Sequence, residues 1–234
     1  MIKRFFLFVI LVNIAIFCVL SSVVDAKILE NRNNFHSFDF FWCIKYFKKF
    51  KQEFEKLDHI IFRLINSRLK SKILDFCVIP VSYCDSINFN ISFFITLSIS
   101  ILILWKHKNH KFKNSVALLL IILIIGIVMT YFLKHIFAKP RPLTIFNSNI
   151  NTLFEKEYTF SFPSGHTEIA VSTCTFMFIT VRKYWYLYII LAIYSGFYRI
   201  YTGLHFPSDI LMGTIIGFLL TYIIIILLKK YFKI

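Results

Sequence analysis

The sequence predicts an all-α membrane protein, a bundle of about six transmembrane helices with an N-terminal amphipathic helical segment. Of its 234 residues, 58% are hydrophobic and 19% are aromatic, and the mean hydropathy is +0.69. Apolar runs of about 20 residues recur along the chain, the length that a helix needs to cross a hydrocarbon core of about 30 Å. The net charge of +15 comes from basic residues that separate these runs, whereas a nucleic-acid-binding protein would gather them on one soluble face. We therefore expect a membrane partner and no nucleic acid.

The first apolar run is Phe5–Val24, which follows the basic residues Lys3 and Arg4. Val24-Asp25-Ala26 is similar to the small-residue site at which signal peptides are cleaved. Because the run is long for the core of a signal peptide, we predict a retained span within residues 1–26, with a cleaved signal peptide as the alternative. Either segment would carry the following chain out of the cytoplasm.

Residues 27–86 form the least hydrophobic part of the chain. Their pattern predicts an amphipathic helix, because apolar residues recur at helical spacing opposite a basic face. Such a helix would lie on the bilayer surface or pack on the rim of the bundle. Cys43, Cys77 and Cys84 would lie outside the cytoplasm, a compartment that permits a disulfide between two of them. The apolar face comprises Phe50, Phe54, Leu57, Ile61 and Leu64.

Five further apolar runs within residues 87–234 predict the membrane-embedded core. Short basic segments at Lys106 to Lys113, at Arg182 with Lys183, and at Lys229 to Lys233 separate or end these runs. Because short cytoplasmic loops carry an excess of Lys and Arg, we predict that these segments are cytoplasmic. The opposite helix ends are then extracytoplasmic. The predicted spans are Ile87–Trp105, Ser115–Leu133, Ser164–Val181, Tyr184–Tyr201 and Asp209–Leu228.

Three polar clusters stand at the predicted extracytoplasmic helix ends. They supply three cations, two histidines and one carboxylate, a set that suits an oxyanion because Arg and Lys donate to phosphate or carboxylate oxygens. No carboxylate pair and no Cys/His cluster has the spacing of metal ligands, so we expect no metal. The clusters are Lys134-His-Ile-Phe-Ala-Lys-Pro-Arg141-Pro142, Phe162-Pro-Ser164-Gly165-His166-Thr167 and Tyr198-Arg199-Ile-Tyr-Thr-Gly-Leu-His205-Phe-Pro-Ser-Asp209.

The spacing within these clusters resembles the three-part signature of the type 2 phosphatidic acid phosphatase superfamily, which contains lipid phosphate phosphatases and acid phosphatases. That signature is Lys-x6-Arg-Pro, then Pro-Ser-Gly-His, then Ser-Arg-x5-His-x3-Asp. Here six residues separate Lys134 from Arg141, and Pro-Ser-Gly-His follows. Five residues then separate Arg199 from His205, and three separate His205 from Asp209.

The resemblance implies a role for each motif residue. His205 would be the nucleophile that forms a phosphohistidine, with its ring held by Asp209, and His166 would be the general acid and then the general base. Tyr198 stands where the third motif usually has Ser, a departure that affects one auxiliary hydrogen bond. No cofactor is implied. The phosphate would be bound by Lys134, Arg141, Arg199, Ser164 and Gly165.

Two charged residues lie in or beside the motifs without an implied role. Lys139 occupies a position that the family leaves open, and we expect Glu168 to be peripheral. The polar loop Leu143–Thr159 lies between two motifs, where a loop that contacts substrate is expected.

We therefore predict a lipid phosphatase of a bacterial-type inner membrane, with its active site on the extracytoplasmic face. Lipid A is the preferred substrate, because a compact protein with a basic outer segment suits a bulky anionic glycolipid. Undecaprenyl pyrophosphate, phosphatidylglycerophosphate and phosphatidate are the alternatives. A lipid phosphotransferase is the alternative from another class, and a transporter is disfavoured because the spans beneath the motifs are almost entirely apolar. The sequence leaves the oligomeric state open.

Overall fold

The structure, a computed structural model, describes residues 38–78, 109–146, 150–152 and 159–232. The predicted spans Phe5–Val24 and Ile87–Trp105 lie outside the described residues, as does Cys84. Regular structure in the described ranges is helical throughout, in agreement with the all-α prediction. The chain divides into two compact units, Met1–Ile60 and Ile61–Ile234.

The helices with defined bounds are numbered here in chain order. A π-helical turn, Leu64–Arg68, follows the first of them, residues 72–78 are also helical, and a 3-10 turn, Arg182–Tyr184, precedes the fifth. The helices are α1 (Phe38–Arg63), α2 (His110–Phe137), α3 (Pro142–Phe146), α4 (Gly165–Thr180), α5 (Trp185–Tyr201) and α6 (Pro207–Phe232).

Helices α2, α4, α5 and α6 cover the four predicted spans that fall within the described ranges, to within about one or two helical turns at each end. Two stretches, His110–Phe146 and Pro207–Phe232, are each long and apolar enough to cross a membrane. Gly165–Thr180 and Arg182–Tyr201 meet the same criterion as a pair, and the chain bends by 119° between them. The total of six spans stays a prediction.

Helix α1 has the predicted amphipathic pattern. The apolar side chains of Phe50 and Leu57 are 46% and 52% exposed. On the polar side, Lys56 pairs with Glu53 across one turn, with 2.9 Å between Nζ and Oε1. An exposed apolar stripe is what a helix at a bilayer surface needs, and that location stays a prediction.

Helix α2 runs antiparallel to α4 and α6. The amide of Asn114, near the start of α2, donates to the carbonyl of Phe232, the last residue of α6, at 2.8 Å. An apolar cluster joins the first half of α2 to the second halves of α4 and α6. The other ends of the three helices, which carry the polar clusters, are therefore brought together at the opposite end of the bundle. The apolar cluster comprises Leu118, Ile122, Phe176, Ile224 and Ile225.

Two glycines on α6 allow α4 to pack unusually close to it. A Cβ atom at Gly213 would lie 2.6 Å from the carbonyl oxygen of Ser164, and one at Gly217 would lie 2.6 Å from that of Glu168. Gly-x-x-x-Gly is a recurrent device by which membrane helices bring their backbones together. Here it fixes the start of α4, with the second cluster, against the start of α6, with the third.

The chain after Ile60 packs against the loop that joins α5 to α6. The buried ring of Phe62 lies 5.6 Å from the Phe146 ring and 5.4 Å from the Phe206 ring, measured between centroids. The buried amide of Asn66 donates to the carbonyl of Tyr201 at 2.8 Å. These contacts support the loop from the side away from α4.

Candidate active site

The end of α2, the start of α4 and the adjoining loops surround a cavity of about 220 Å³. All three sequence clusters contribute to its wall, and Arg199 and Asp209 stand behind that wall against its two histidines. The predicted site residues are thus brought together at one end of the bundle. The polar residues of the described chain that line the cavity are Thr130, Tyr131, Lys134, Arg141, Thr159, His166, Glu168 and His205, together with Gly165.

The end of α2 places Lys134 at the mouth of the site. Ala138 adopts the left-handed conformation, with φ of 43°, and its amide donates to the carbonyl of Lys134 at 2.9 Å. This arrangement ends the helix and turns the chain back toward the cavity. The ammonium group of Lys134 donates to the carbonyl of Phe160 at 2.7 Å. Lys134 thereby also holds the segment that enters the second cluster.

Arg141 is 3% exposed and is held on all sides of its guanidinium group. Its Nε and Nη2 donate to the backbone carbonyl and the hydroxyl of Thr159, both at 3.0 Å. Its Nη1 donates to the carbonyl of Leu204 at 2.9 Å and lies 3.2 Å from Nε2 of His205. The planar group thus ties the first cluster to the loop of the third and presents a fixed positive charge to the cavity.

Helix α4 begins at Gly165, directly after the cis Phe162–Pro163 peptide and Ser164. The amide of Ser164 donates to the carbonyl of Asp209 at 3.1 Å, and its buried hydroxyl lies 3.0 Å from the Thr167 hydroxyl. Ser164 therefore holds the helix start in place, while Gly165 and His166 line the cavity. A helix N-terminus in this position favours a bound anion, because its first amides carry partial positive charge.

His166 and Arg199 are in direct contact. The Nη2 atom of Arg199, which is 3% exposed, is hydrogen-bonded to Nδ1 of His166. Arginine has no acceptor atom, so Nδ1 must be the acceptor. The proton of a neutral His166 ring is therefore on Nε2.

His205 has the opposite tautomer. Its Nε2 faces the guanidinium of Arg141 and must accept, so the ring proton lies on Nδ1. The ring is 1% exposed, and burial, followed by the charges of Arg141, Arg199, Lys134 and His166, holds the pKa of His205 well below its usual value. The neutral imidazole thus keeps a lone pair on the nitrogen that faces the cavity.

Asp209 lies behind His205, in the first turn of α6, and is fully buried. Its Oδ2 accepts from the amide of Phe206 at 2.9 Å and lies 3.5 Å from Nδ1 of His205. Its Oδ1 pairs with the ammonium group of Lys139 at 2.9 Å. The carboxylate is therefore placed to support the imidazole, at a distance that closer packing around a substrate would shorten.

This arrangement can bind a tetrahedral oxyanion and react with it. Fixed cations surround the cavity, one imidazole offers a lone pair, and the other offers a proton. These are the elements that phosphoryl transfer needs.

A family model described as the PAP2 superfamily matches residues 114–233, slightly more than half of the chain. The chain belongs to the PAP2 superfamily. Lipid phosphatase membership of this family confirms the predicted class, a membrane enzyme that acts on lipid phosphates.

Named proteins and one solved structure are similar to the chain. It is 30% identical over 149 residues to undecaprenyl-diphosphatase BcrC of Bacillus subtilis, covering 59% of this chain and 76% of that protein. It is 30% identical over 120 residues to lipid A 4′-phosphatase of Bacteroides thetaiotaomicron, covering 47% of this chain and 53% of that protein. The crystal structure of Aquifex aeolicus LpxE aligns with a TM-score of 0.57 at 28% identity, covering 72% of this chain and 94% of that one.

Sequence reasoning missed two polar residues of this PAP2 site. Thr159 binds Arg141 through both its backbone and its hydroxyl, and nothing in the sequence marks that contact, although the polar loop that Thr159 ends was expected near substrate. Lys139 was given no role, yet it forms the ion pair with Asp209. A signal was available for Lys139, because a carboxylate buried beside a histidine requires a nearby cation or donor.

The expectation that Glu168 is peripheral was wrong. Its side chain is fully buried and lines the cavity, with Oε1 accepting from the hydroxyl of Ser172 at 2.8 Å. Gly126 on α2 makes the room, since a Cβ atom there would collide with the Glu168 carboxyl group. An acidic residue inside an apolar helix is costly unless it faces the bundle interior, and that rule favours the observed placement.

The donor set of the described residues does not include a cluster of three or more His, Cys, Asp or Glu side chains that could hold a metal ion. The expectation that the reaction needs no metal stays a prediction.

Proposed function

We propose that this PAP2 enzyme hydrolyses a phosphate monoester or pyrophosphate on a lipid head group through a phosphohistidine formed on His205. The observation that carries the proposal is the convergence of His205 Nε2, Arg141 and the Arg199–His166 pair on one cavity. A lone pair, a proton donor and fixed cations are then within reach of one phosphoryl group.

In the first step, Nε2 of His205 attacks phosphorus while the bond from phosphorus to the leaving oxygen breaks. His166 gives its Nε2 proton to that oxygen, so the lipid departs as an alcohol, or as a phosphate when the substrate is a pyrophosphate. Positive charge that develops on the His205 ring is stabilised by Asp209 through Nδ1. Lys134, Arg141, Arg199 and the start of α4 stabilise the equatorial oxygens.

In the second step, a water molecule attacks the phosphohistidine. His166, now without its Nε2 proton, takes a proton from the water as the bond between phosphorus and Nε2 of His205 breaks. Inorganic phosphate leaves, and both histidines return to their starting tautomers. Both steps assign charge stabilisation to the protein's own cations, so we propose that neither a metal nor a cofactor is required.

For the substrate, we propose lipid A, with undecaprenyl pyrophosphate and phosphatidylglycerophosphate or phosphatidate as alternatives. Residues 27–86 carry the basic, amphipathic sequence that suits a bulky anionic glycolipid. The chain is equally similar, at 30% identity, to a lipid A 4′-phosphatase and to an undecaprenyl-diphosphatase. Deletion of the gene should therefore change the phosphate content of lipid A and leave recycling of the carrier lipid normal. The opposite pattern would assign the carrier lipid.

We also propose a topology for the enzyme in a bacterial-type inner membrane. Residues 1–26 would supply the first span, residues 27–86 an extracytoplasmic interfacial region, and residues 87–234 the remaining five spans of the phosphatase core. The basic segments then face the cytoplasm and the cavity opens toward the exterior. A membrane-impermeant thiol reagent should label a cysteine introduced at Phe160, which is 37% exposed beside the site, in intact spheroplasts. A cysteine at Arg182 should react only after the membrane is broken.

His205→Ala in the purified, detergent-solubilised protein is the test of the chemistry. We expect phosphate release from lipid phosphates to fall to background, and wild-type activity to persist in chelator. His110→Ala is the matched control, because His110 is an exposed histidine in the basic segment that opens α2. Activity that survives His205→Ala would remove the nucleophile assignment. Activity that requires an added alcohol acceptor would favour the phosphotransferase.

A further inference from the structure

Lys139 belongs to the first cluster by sequence but acts on the third in the structure. Its Nζ lies 2.9 Å from Oδ1 of Asp209 and 2.7 Å from Oγ of Ser208. It also lies 4.5 Å from the centroid of the Phe206 ring, within the range of a cation–π contact. The three partners follow His205 directly in the chain, so Lys139 contacts the whole segment that carries the nucleophile.

The burial of this pair makes the contact consequential. The side chain of Asp209 is fully buried, and that of Lys139 is 25% exposed. Breaking a buried ion pair by removing one partner is strongly destabilising, because the other charge is left without compensation. Lys139 therefore supplies the positive charge that lets Asp209 remain a carboxylate behind the histidine.

The two oxygens of Asp209 have separate partners. Oδ1 is bound by Lys139, while Oδ2 accepts from the Phe206 amide and faces Nδ1 of His205. A carboxylate held at one oxygen cannot rotate freely, so the direction of its other oxygen is fixed. The Lys139 charge also offsets part of the negative potential that Asp209 creates at the imidazole.

We propose that Lys139 is a positioning residue for the reaction: it orients the Asp209 carboxylate toward His205 and limits how strongly that carboxylate draws a second proton onto the ring. The inference rests on the proposed role of His205 as nucleophile. Nothing in the motif pattern assigns this role to the position.

The expected pH dependence follows from the charges that face His205. Burial and the positive groups Arg141, Arg199, Lys134 and His166 lower the pKa of His205, and Asp209 is the negative group at its Nδ1. Removing the Lys139 charge leaves the field of Asp209 less balanced, so the pKa of His205 rises. Because only the neutral ring attacks, the acid limb of the kcat/KM profile then moves to higher pH.

The experiment compares Lys139→Met, which keeps the aliphatic stem, with Lys139→Arg, which keeps the charge. For Lys139→Met we expect kcat to fall by about 10- to 100-fold while KM changes by less than about twofold. The acid limb should move up by about half a pH unit or more. Lys139→Arg should recover most of kcat and return the limb to its wild-type position. Lys111→Met, an exposed lysine at the other end of α2, is the control.

A double-mutant cycle separates positioning from folding. In an Asp209→Asn background there is no carboxylate to hold, so Lys139→Met should change the remaining activity by less than about twofold. An unshifted acid limb in Lys139→Met would overturn the proposal. So would a rise in KM at constant kcat, an undiminished effect in Asp209→Asn, or failure of Lys139→Arg to recover activity. If His205→Ala is inactive while Lys139→Met behaves as wild type, this inference fails and the proposed function stands.

Discussion

The two ends of the bundle formed by α2, α4 and α6 are buried to a similar degree but are filled with different chemistry. At the end where α2 begins, the buried side chains are aliphatic or aromatic, as with Leu118, Ile122 and Phe176. At the other end, Arg141 and His205 are 3% and 1% exposed. Three apolar helices thus enclose a hydrocarbon core at one end and a group of charges at the other.

The difference shows where stability and activity reside. At the apolar end, packing and removal of surface from water hold the helices together, and the exact chemistry of each side chain matters little. At the site end, buried charges hold the loops: Lys134 binds the carbonyl of Phe160, and Arg141 binds those of Thr159 and Leu204. Substitutions at the site end should therefore reduce activity most, and substitutions at the apolar end should reduce stability most.

Arg141→Lys should have the largest effect on activity. Lysine keeps the charge but loses the planar fork, which reaches Thr159, Leu204 and His205 at the same time. We expect kcat/KM for a lipid phosphate to fall by about 10²- to 10³-fold, measured as phosphate release. The thermal midpoint should fall by only a few degrees, because the apolar end is unchanged.

Arg182→Lys is the matched control for Arg141→Lys, since Arg182 is exposed in the turn between α4 and α5. It should leave kcat/KM within about twofold of wild type. Comparable losses in both variants would show that the geometry of the guanidinium group at the site is not what matters.

Phe176→Ala should reverse the pattern. Phe176 is 3% exposed in the apolar cluster, and its truncation leaves a cavity between α2, α4 and α6. We expect the free energy of unfolding to fall by about 3 kcal/mol, measured by denaturant titration in detergent, with kcat of the folded protein nearly unchanged. Phe178→Ala, at a 38% exposed position of the same helix, should lose much less. Equal losses at both positions would mean that the cluster is not the core.

Sequence reasoning identified the parts of the site that depend on residue type and spacing. The motif pattern selected the cations and histidines that the structure brings to one end of the bundle, because helices of similar length in a bilayer place their ends at the same depth. The helix bounds followed from hydropathy for the same reason. The spans before Ser115 lie outside the described residues.

The remaining parts of the site depend on which face of a helix or loop meets which neighbour, and spacing does not encode that. Lys139 could not be assigned because its partner, Asp209, is 70 residues away in the chain. Glu168 was misplaced because its fit depends on the missing side chain of Gly126, on another helix. Such pairings are set by tertiary packing, which a local sequence pattern does not determine.

Tyr198→Phe should have the smallest effect, although Tyr198 is the one departure from the family motif. The Tyr198 ring is 5% exposed, and the guanidinium carbon of Arg199 lies 5.5 Å from its centroid. A ring at that distance supports the arginine through a cation–π contact, which phenylalanine preserves in large part. We expect kcat/KM to change by less than about threefold in Tyr198→Phe and by more in Tyr198→Ser, which restores the usual motif residue but removes the ring. Full activity in Tyr198→Ser together with a loss in Tyr198→Phe would show that the hydroxyl group, rather than the ring, supports Arg199 at this end of the bundle.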